Sequence, residues 1–270
     1  MSLNIVGEGD TFWEGWKIWH TYAPEIVKHG LYVWYAASPG DIIAQPFVAP
    51  NKTKSEVEAL LQPMLDRLDA AGVDYTRSEV TTFPNFGELY GEMWYTAFHG
   101  ANGQAGFGGR LISIKDVEEN GQGLTDAFRY VLEGYGGAVG FGGHLVNPGN
   151  GVPDPEGELS AVHPVFRETA DVNVYLYFLE DCLTAERRAE VLEQVTFDIG
   201  EAIRRETPNS AVYSNEGDIN EPQWQDAFWG PVYPRLVEIK EKYDRNRVFW
   251  TKATPGSEGW ELVDERLCRA

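Results

Sequence analysis

Two strand-like segments separated by only a four-residue turn constrain the fold more than any other feature of the sequence. Residues 31–37 (LYVWYAA) predict a strand, 38–41 (SPGD) a turn, and a second strand follows near 42–48. Residues 172–178 alternate apolar and polar side chains with the period of two that is typical of a strand. Strands this close together do not fit a strict βαβ alternation. The sequence therefore predicts an α+β fold, with a mostly antiparallel sheet and helices packed on one face.

Helical periodicity predicts the elements around these strands. The clearest helix starts at a capping box formed by Thr53 and Glu56, and we expect Pro63 to kink or split it. We also expect Asp10 to cap a helix over 11–29, and a long amphipathic helix over 184–205. Further strands are expected over 73–82, 106–114, 137–146 and 161–167, and further helices over 86–98, 124–132, 221–228 and 231–243, the last two forming a helical C-terminal tail.

The charge balance is strongly acidic, with 42 acidic against 22 basic residues and a net charge of −20. Such a surface repels nucleic acid phosphates and anionic lipids, so we expect neither as a partner. No apolar run is long enough to span a membrane, and the first ten residues do not resemble a signal peptide, so a cytoplasmic location is the default expectation. The two cysteines, Cys182 and Cys268, form no CxxC motif, and a disulfide between them stays open.

Several familiar catalytic and binding motifs are absent. The sequence contains neither a GxSxG elbow nor a GxxxxGK[ST] phosphate loop. The glycine-rich segment 134–139 starts like a dinucleotide-binding motif but has Val139 at the final glycine position. The five histidines are scattered without helical or hairpin pairing, so we expect no metal site; they are His20, His29, His99, His144 and His163.

The C-terminal third carries the most specific pattern. Its matched segments are 213–218 (YSNEGD), 224–225 (WQ), 228–230 (FWG), 233–236 (YPRL), 239–240 (IK), 242–244 (KYD) and 248–250 (VFW). In order and spacing they resemble the C-terminal signature of the berberine bridge enzyme-like oxidases, and the ending 256–268 resembles the fungal branch. Earlier segments, such as 47–53 and 162–167, are similar to that branch too, so the resemblance runs from about residue 12 to the end.

The resemblance implies a single substrate-binding domain over 1–270, with the berberine-bridge-type motif at 211–255 and the family's N-terminal FAD-binding domain absent. It also implies that Tyr213 and Asn215 lie beside the flavin ring. An Asn amide both donates and accepts, so it can pair with a ring carbonyl and N–H. The alternative is that these two side chains only secure a turn. Two positions depart from the family pattern, Val232 for Asn and Arg245 for Pro, and the loss of the Asn side-chain amide is expected to weaken flavin binding without preventing it.

Candidate catalytic residues come from the predicted strands. His144 is a candidate proton acceptor at the substrate face, although a structural role is also open, and the same holds for His163. Tyr175 and Tyr177 share one face of a strand, where they either line a cleft or meet solvent.

Three functions remain open at this stage. The first is the substrate-binding half of a FAD-dependent oxidoreductase that oxidises a small, secondary-metabolite-like molecule with dioxygen, given FAD from a separate or missing domain. The second is a flavin-independent relative that catalyses a cyclisation or pericyclic step by orienting its substrate in a pocket. The third is a non-catalytic binding protein, a homodimer joined through an exposed sheet face.

Overall fold

The computed structural model describes residues 1–93, 105–149, 160–180, 183–263 and 266–270, and its centre is a seven-stranded antiparallel sheet. In chain order its strands are β1 (Leu3–Val6), β2 (Tyr32–Ser38), β3 (Asp41–Val48), β4 (Asp74–Arg77), β5 (Ala105–Ser113), β6 (Val139–Leu145) and β7 (Thr169–Phe178). Across the sheet they lie in the order β4-β1-β3-β2-β6-β7-β5, and every neighbouring pair is antiparallel. The prediction of a mostly antiparallel α+β fold is confirmed.

Helices form a second layer beside the sheet. The α-helices of the described residues are α1 (Gly9–Lys28), α2 (Lys54–Ala70), α3 (Phe86–Met93), α4 (Ile114–Gly134), α5 (Ala185–Gln194), α6 (Gly200–Glu206) and α7 (Tyr233–Tyr243). Of these, α1, α2, α4, α5 and α6 pack against strands of the sheet, whereas α7 packs against the turns that precede it. A π-helical turn, Val195–Ile199, joins α5 to α6, so the long helix predicted over 184–205 is present with this turn inside it. Within the described ranges, no helix combines the length and the apolar character needed to cross a membrane.

The main core lies between one face of the sheet and this helical layer. Trp16 of α1 packs against Phe128 of α4, with ring centroids 5.1 Å apart, and Phe128 meets Phe141 of β6 at 4.7 Å. Tyr35 of β2 and Tyr175 of β7 are buried in the same cluster. Burial of so many large rings fixes which face of the sheet the helices cover, and the other face is not covered by this helical layer. We call it the open face.

Several details of the secondary structure differ from the sequence predictions. Residues 161–167 were expected to form a strand, but Pro164–Glu168 is a 3₁₀ turn, because Pro164 has no N–H for a ladder and His163 accepts a hydrogen bond from the Val165 N–H. Asp10 does not cap α1, which starts at Gly9; it pairs instead with Arg129. Pro63 does not split α2, since it lies on the exposed side of a helix whose other side is packed.

The tail is helical only in part. α7 agrees with the helix predicted over 231–243, but the helix predicted over 221–228 is reduced to a π-helical turn at Gln225–Trp229. The chain then ends in an unpredicted hairpin of β8 (Trp260–Val263) and β9 (Arg266–Arg269). His99, Cys182 and the end of the helix predicted over 86–98 lie outside the described residues, so the disulfide stays untested.

Candidate functional site

The open face of the sheet carries an apolar hollow. Successive side chains of a strand point to opposite faces, and alternate residues of five strands, β2, β3, β5, β6 and β7, line this side. The hollow has a volume of about 350 Å³. Its apolar walls include Trp34, Ala36, Phe107, Val174, Leu176 and Phe178. Gly140 and Gly142 of β6 leave its floor free of side chains, which gives a broad flat surface.

A Tyr–His pair borders one end of the hollow. Tyr32 of β2 and His144 of β6 stack with ring centroids 5.5 Å apart, and the Tyr32 hydroxyl lies 2.6 Å from His144 Nδ1. Burial lowers the pKa of His144, although the charge of Asp171 on the other face of the sheet opposes this shift. Burial, together with the charge of Glu216, raises the pKa of Tyr32 to about 12. The pair is therefore neutral near pH 7 and is held together by a short hydrogen bond.

The chain segment that follows Ala211 crosses the open face, and Ala211 itself pairs with Leu111 of β5. The Leu111 N–H donates to the Ala211 carbonyl over 2.7 Å, which ties the segment to β5. A side chain at Gly109 would come within 2.4 Å of the Glu216 carbonyl oxygen, so this close crossing requires glycine. The Glu216 side chain borders the hollow, and burial raises the pKa of its carboxyl.

Tyr213 and Asn215 are brought together, but in a turn. The Glu216 N–H donates to the Tyr213 carbonyl over 2.9 Å, so the extended segment expected here is folded back on itself. The Asn215 amide donates to the Tyr213 hydroxyl over 2.8 Å, and the Tyr213 ring packs edge-on against Phe166. Asn215 is exposed, and within this segment it is Glu216 that borders the hollow.

A buried ion cluster holds this segment in place from the helical side. Glu221 accepts two hydrogen bonds of 3.1 Å from the Arg204 guanidinium, and Arg110 lies 3.9 Å from the same carboxylate. Asp218 accepts a short hydrogen bond from the hydroxyl of Thr196, in the π-helical turn. The two carboxylates thus anchor the C-terminal segment to β5 and to the helices.

Tyr175 and Tyr177 face away from the hollow. They do share one face of β7, as the alternation predicts, but it is the face that packs against the helices. Tyr175 is 2% exposed, and burial raises the pKa of its hydroxyl. Tyr177 meets Tyr135 edge-on. The structure therefore does not bring these two candidates to His144. His163, the other histidine candidate, precedes the Pro164–Glu168 turn, and its Nδ1 accepts the hydrogen bond from the Val165 N–H.

The sequence analysis missed four residues of the site: Tyr32, Trp34, Asp41 and Glu216. The signal for the first two was available, because residues 32, 34, 36 and 38 alternate with the buried positions of β2. Nothing local in the sequence indicates that Glu216 lies over β5, since that contact joins residues about a hundred positions apart.

The arrangement fits the ring of a flavin better than its pyrophosphate. The flat, glycine-floored hollow matches a planar ring system in shape. Gly134 to Val139, however, leads from the end of α4 into β6, whereas a dinucleotide-binding turn leads from a strand into a helix. Across the part of the chain that the structure describes, no cluster of three or more His, Cys, Asp or Glu could hold a metal ion.

Comparisons with known proteins agree with this geometry. Residues 212–254 match the family model "Berberine and berberine like". FAD-linked oxidoreductase sor8 of Hypocrea jecorina is 30% identical over 275 residues, which cover 100% of this chain and 45% of that protein. Bifunctional decalin synthase calF of Penicillium decumbens is 27% identical over 280 residues, covering 100% of this chain and 47% of that protein.

A solved structure shares the fold. The crystal structure of VAO-type flavoprotein MtVAO615 from Myceliophthora thermophila C1 superposes with a TM-score of 0.83 at 22% identity, covering 100% of this chain and 49% of that one. This chain thus spans about half the length of the relatives that it matches. Residues 212–254 therefore form a berberine bridge enzyme-like domain segment, and the whole chain is homologous to about half the length of fungal FAD-linked oxidoreductases.

Proposed function

We propose that residues 1–270 form one substrate-binding domain, whose open face is the substrate-side wall of a FAD-linked oxidoreductase site. The substrate would be a small organic molecule with a largely apolar body, and dioxygen the electron acceptor. FAD would be held by a separate domain or by a part of the protein beyond these 270 residues. The observation that carries the proposal is the hollow itself, which is apolar, flat-floored and left uncovered by the helices.

The Tyr32–His144 pair is the proposed proton acceptor. In the tautomer with hydrogen on Nδ1, His144 donates to the Tyr32 hydroxyl oxygen over 2.6 Å, which leaves the Nε2 lone pair available. The lowered pKa of His144 keeps the ring neutral and able to accept a proton near pH 7. The chemistry that bound FAD supplies is hydride acceptance, followed by reoxidation with dioxygen.

The apolar walls of the hollow have a different role. They hold a flat substrate against the sheet and exclude water from its reacting end, so the hollow contributes orientation. Tyr213 and Asn215 remain the predicted contacts to the flavin. Their mutual hydrogen bond holds the two side chains together.

Lumiflavin, the flavin ring without phosphate or adenine, serves as a fluorescent flat-ring probe, and its titration tests on the chain as it is whether the hollow accepts a planar ligand. We expect the chain to quench lumiflavin fluorescence saturably, because Trp34 offers an aromatic surface in the hollow. Ala36→Leu should weaken this binding at least tenfold, since the added side chain fills the hollow. Ala59→Leu, on the exposed side of α2, is the matched control and should bind as the wild type does. Equal binding by all three proteins, or none by the wild type, would count against the proposal.

A second candidate is the flavin-independent enzyme that orients a substrate for a cyclisation. Two observations favour it: a relative is named a bifunctional decalin synthase, and the described residues form the hollow but no phosphate cradle. Purified protein distinguishes the two. Co-purifying absorbance near 450 nm, with hydrogen peroxide formed during turnover, indicates the oxidase. Colourless protein that converts a substrate without consuming oxygen indicates the alternative. The non-catalytic homodimer predicts a doubled mass in solution and no turnover.

A further inference from the structure

Asp41 is a carboxylate at the far end of the hollow from His144. It starts β3, pairs with Ser38 across the turn between β2 and β3, and borders the hollow with Ser38 and Ile43. Trp34 pairs with His144, and Ser38 lies four residues further along β2. At roughly 3.3 Å per residue, Asp41 and His144 are therefore about 13 Å apart along the strands.

The Asp41 carboxylate is also poorly satisfied. Its Oδ1 atom is buried and has no hydrogen-bond partner among the residues that the structure describes. Within those same ranges no lysine or arginine forms an ion pair with it. Buried acceptors are nearly always paired, so an unpaired one beside an apolar hollow points to a donor that arrives with a ligand.

We propose that Asp41 sets the substrate specificity of the hollow. Asp41 accepts a hydrogen bond from a hydroxyl or ammonium group at one end of an elongated, largely apolar substrate, whose reacting end lies at His144. This inference rests on the proposed function, because it assumes that the hollow is the substrate site. It adds a chemical class: a flat or elongated molecule with a hydrogen-bond donor opposite its reacting end.

Ligands that differ at the Asp41 end of the hollow should bind with different affinities. An apolar molecule that fills the hollow would cover the Asp41 carboxylate without replacing its contact with water, which is unfavourable. A ligand with a donor at that end satisfies the carboxylate, and hydrogen bonds to charged groups are stronger than neutral ones. The hollow should therefore discriminate between ligands that differ only in this group.

Equilibrium dialysis with three probes of one shape tests the inference. The probes are 4-phenylphenol, 4-phenylbenzylamine and 4-methylbiphenyl, which present a hydroxyl, an ammonium or only a methyl group. We expect the wild type to bind at least one donor probe about tenfold more tightly than 4-methylbiphenyl. The Asp41→Leu variant should lose this preference while still binding 4-methylbiphenyl, which also shows that its hollow is folded.

Two further variants separate the sources of the effect. Asp41→Asn keeps an acceptor but not the charge, so it should retain a preference for the phenol and lose one for the amine. Asp74→Leu, an exposed acid-to-leucine change on the edge strand β4, should retain the full preference of the wild type.

The other possible outcomes contradict either the role of Asp41 or the use of the hollow as the binding site. If the wild type binds the three probes equally, or if Asp41→Leu keeps the preference, the role of Asp41 is wrong, while the hollow stands as the binding site. If Ala36→Leu leaves the binding of all three probes unchanged, the probes do not occupy the hollow. In that case the proposed function fails, and the inference fails with it.

Discussion

His144 differs from an exposed histidine because the Tyr32 ring and the neighbouring strands shield it from water. Burial lowers its pKa, so the unfolded chain binds a proton at a higher pH than the folded chain does. Stability is therefore full above the ordinary histidine pKa of about 6.5, and it falls as the pH drops from there to the folded value.

We expect this loss of stability to be smaller in His144→Gln, because the variant has no ring to protonate. Urea unfolding midpoints at pH 7.5 and pH 5.0 measure it, as the difference between the two proteins in their pH dependence. The same shift of midpoint in wild type and variant would show that His144 is not held in its neutral form.

Alternation along a strand predicts which residues share a face, but not which face is buried. This is why Tyr175 and Tyr177 were correctly paired and yet point into the helical layer. Their facing depends on the aromatic residues of α1 and α4, which lie far away in sequence. The association of Tyr213 with Asn215 was predictable because it is local. The positions of Asp41 and Glu216 at the border of the hollow were not predictable. They depend on the order of the strands in the sheet and on a contact between segments far apart in sequence.

At the scale of elements, the berberine-bridge-type segment is held by charges buried against the helical layer. The Glu221 side chain is 3% exposed and faces both Arg204 and Arg110. Removing one member of such a cluster leaves buried charge without compensation, which costs more than the intact cluster contributes.

Glu221→Ala should therefore lower the free energy of unfolding by about 3 kcal/mol. Glu201→Ala is a matched control, because Glu201 pairs with the same Arg204 but its side chain is 56% exposed. Its effect should stay within about 0.5 kcal/mol, as for other surface ion pairs. Chemical denaturation of both variants measures the difference, and equal losses would mean that the cluster does not anchor the segment.

The elements were predicted best where a local signal was strong. The Thr53–Glu56 capping box marks the start of α2, and the turn at 38–41 marks the end of β2 and the start of β3. β1 was missed because four residues are too few to show a period, and it exists only through its pairing with β3 and β4. Residues 161–167 do not form the predicted strand, because Pro164 lacks the backbone N–H that a strand ladder needs and starts a 3₁₀ turn.

In the whole molecule, helices cover one face of the sheet, and the other face carries the hollow in which a ligand could bind. The chain spans about half the length of the relatives that it matches, and its open face carries the hollow, the Tyr32–His144 pair and Glu216. The strongly acidic surface, with a net charge of −20, favours small or neutral ligands over polyanions. These features are the basis for proposing the open face as the substrate-binding surface.

The most direct test of this account locates a flat ring on the protein. In amide and indole NMR spectra recorded during a lumiflavin titration, we predict that the shifts concentrate at Trp34, Gly140, Gly142 and His144, with the helical layer around Trp16 and Phe128 unaffected. Shifts confined to the helical layer, or residues of the hollow that do not respond at saturating lumiflavin, would contradict it.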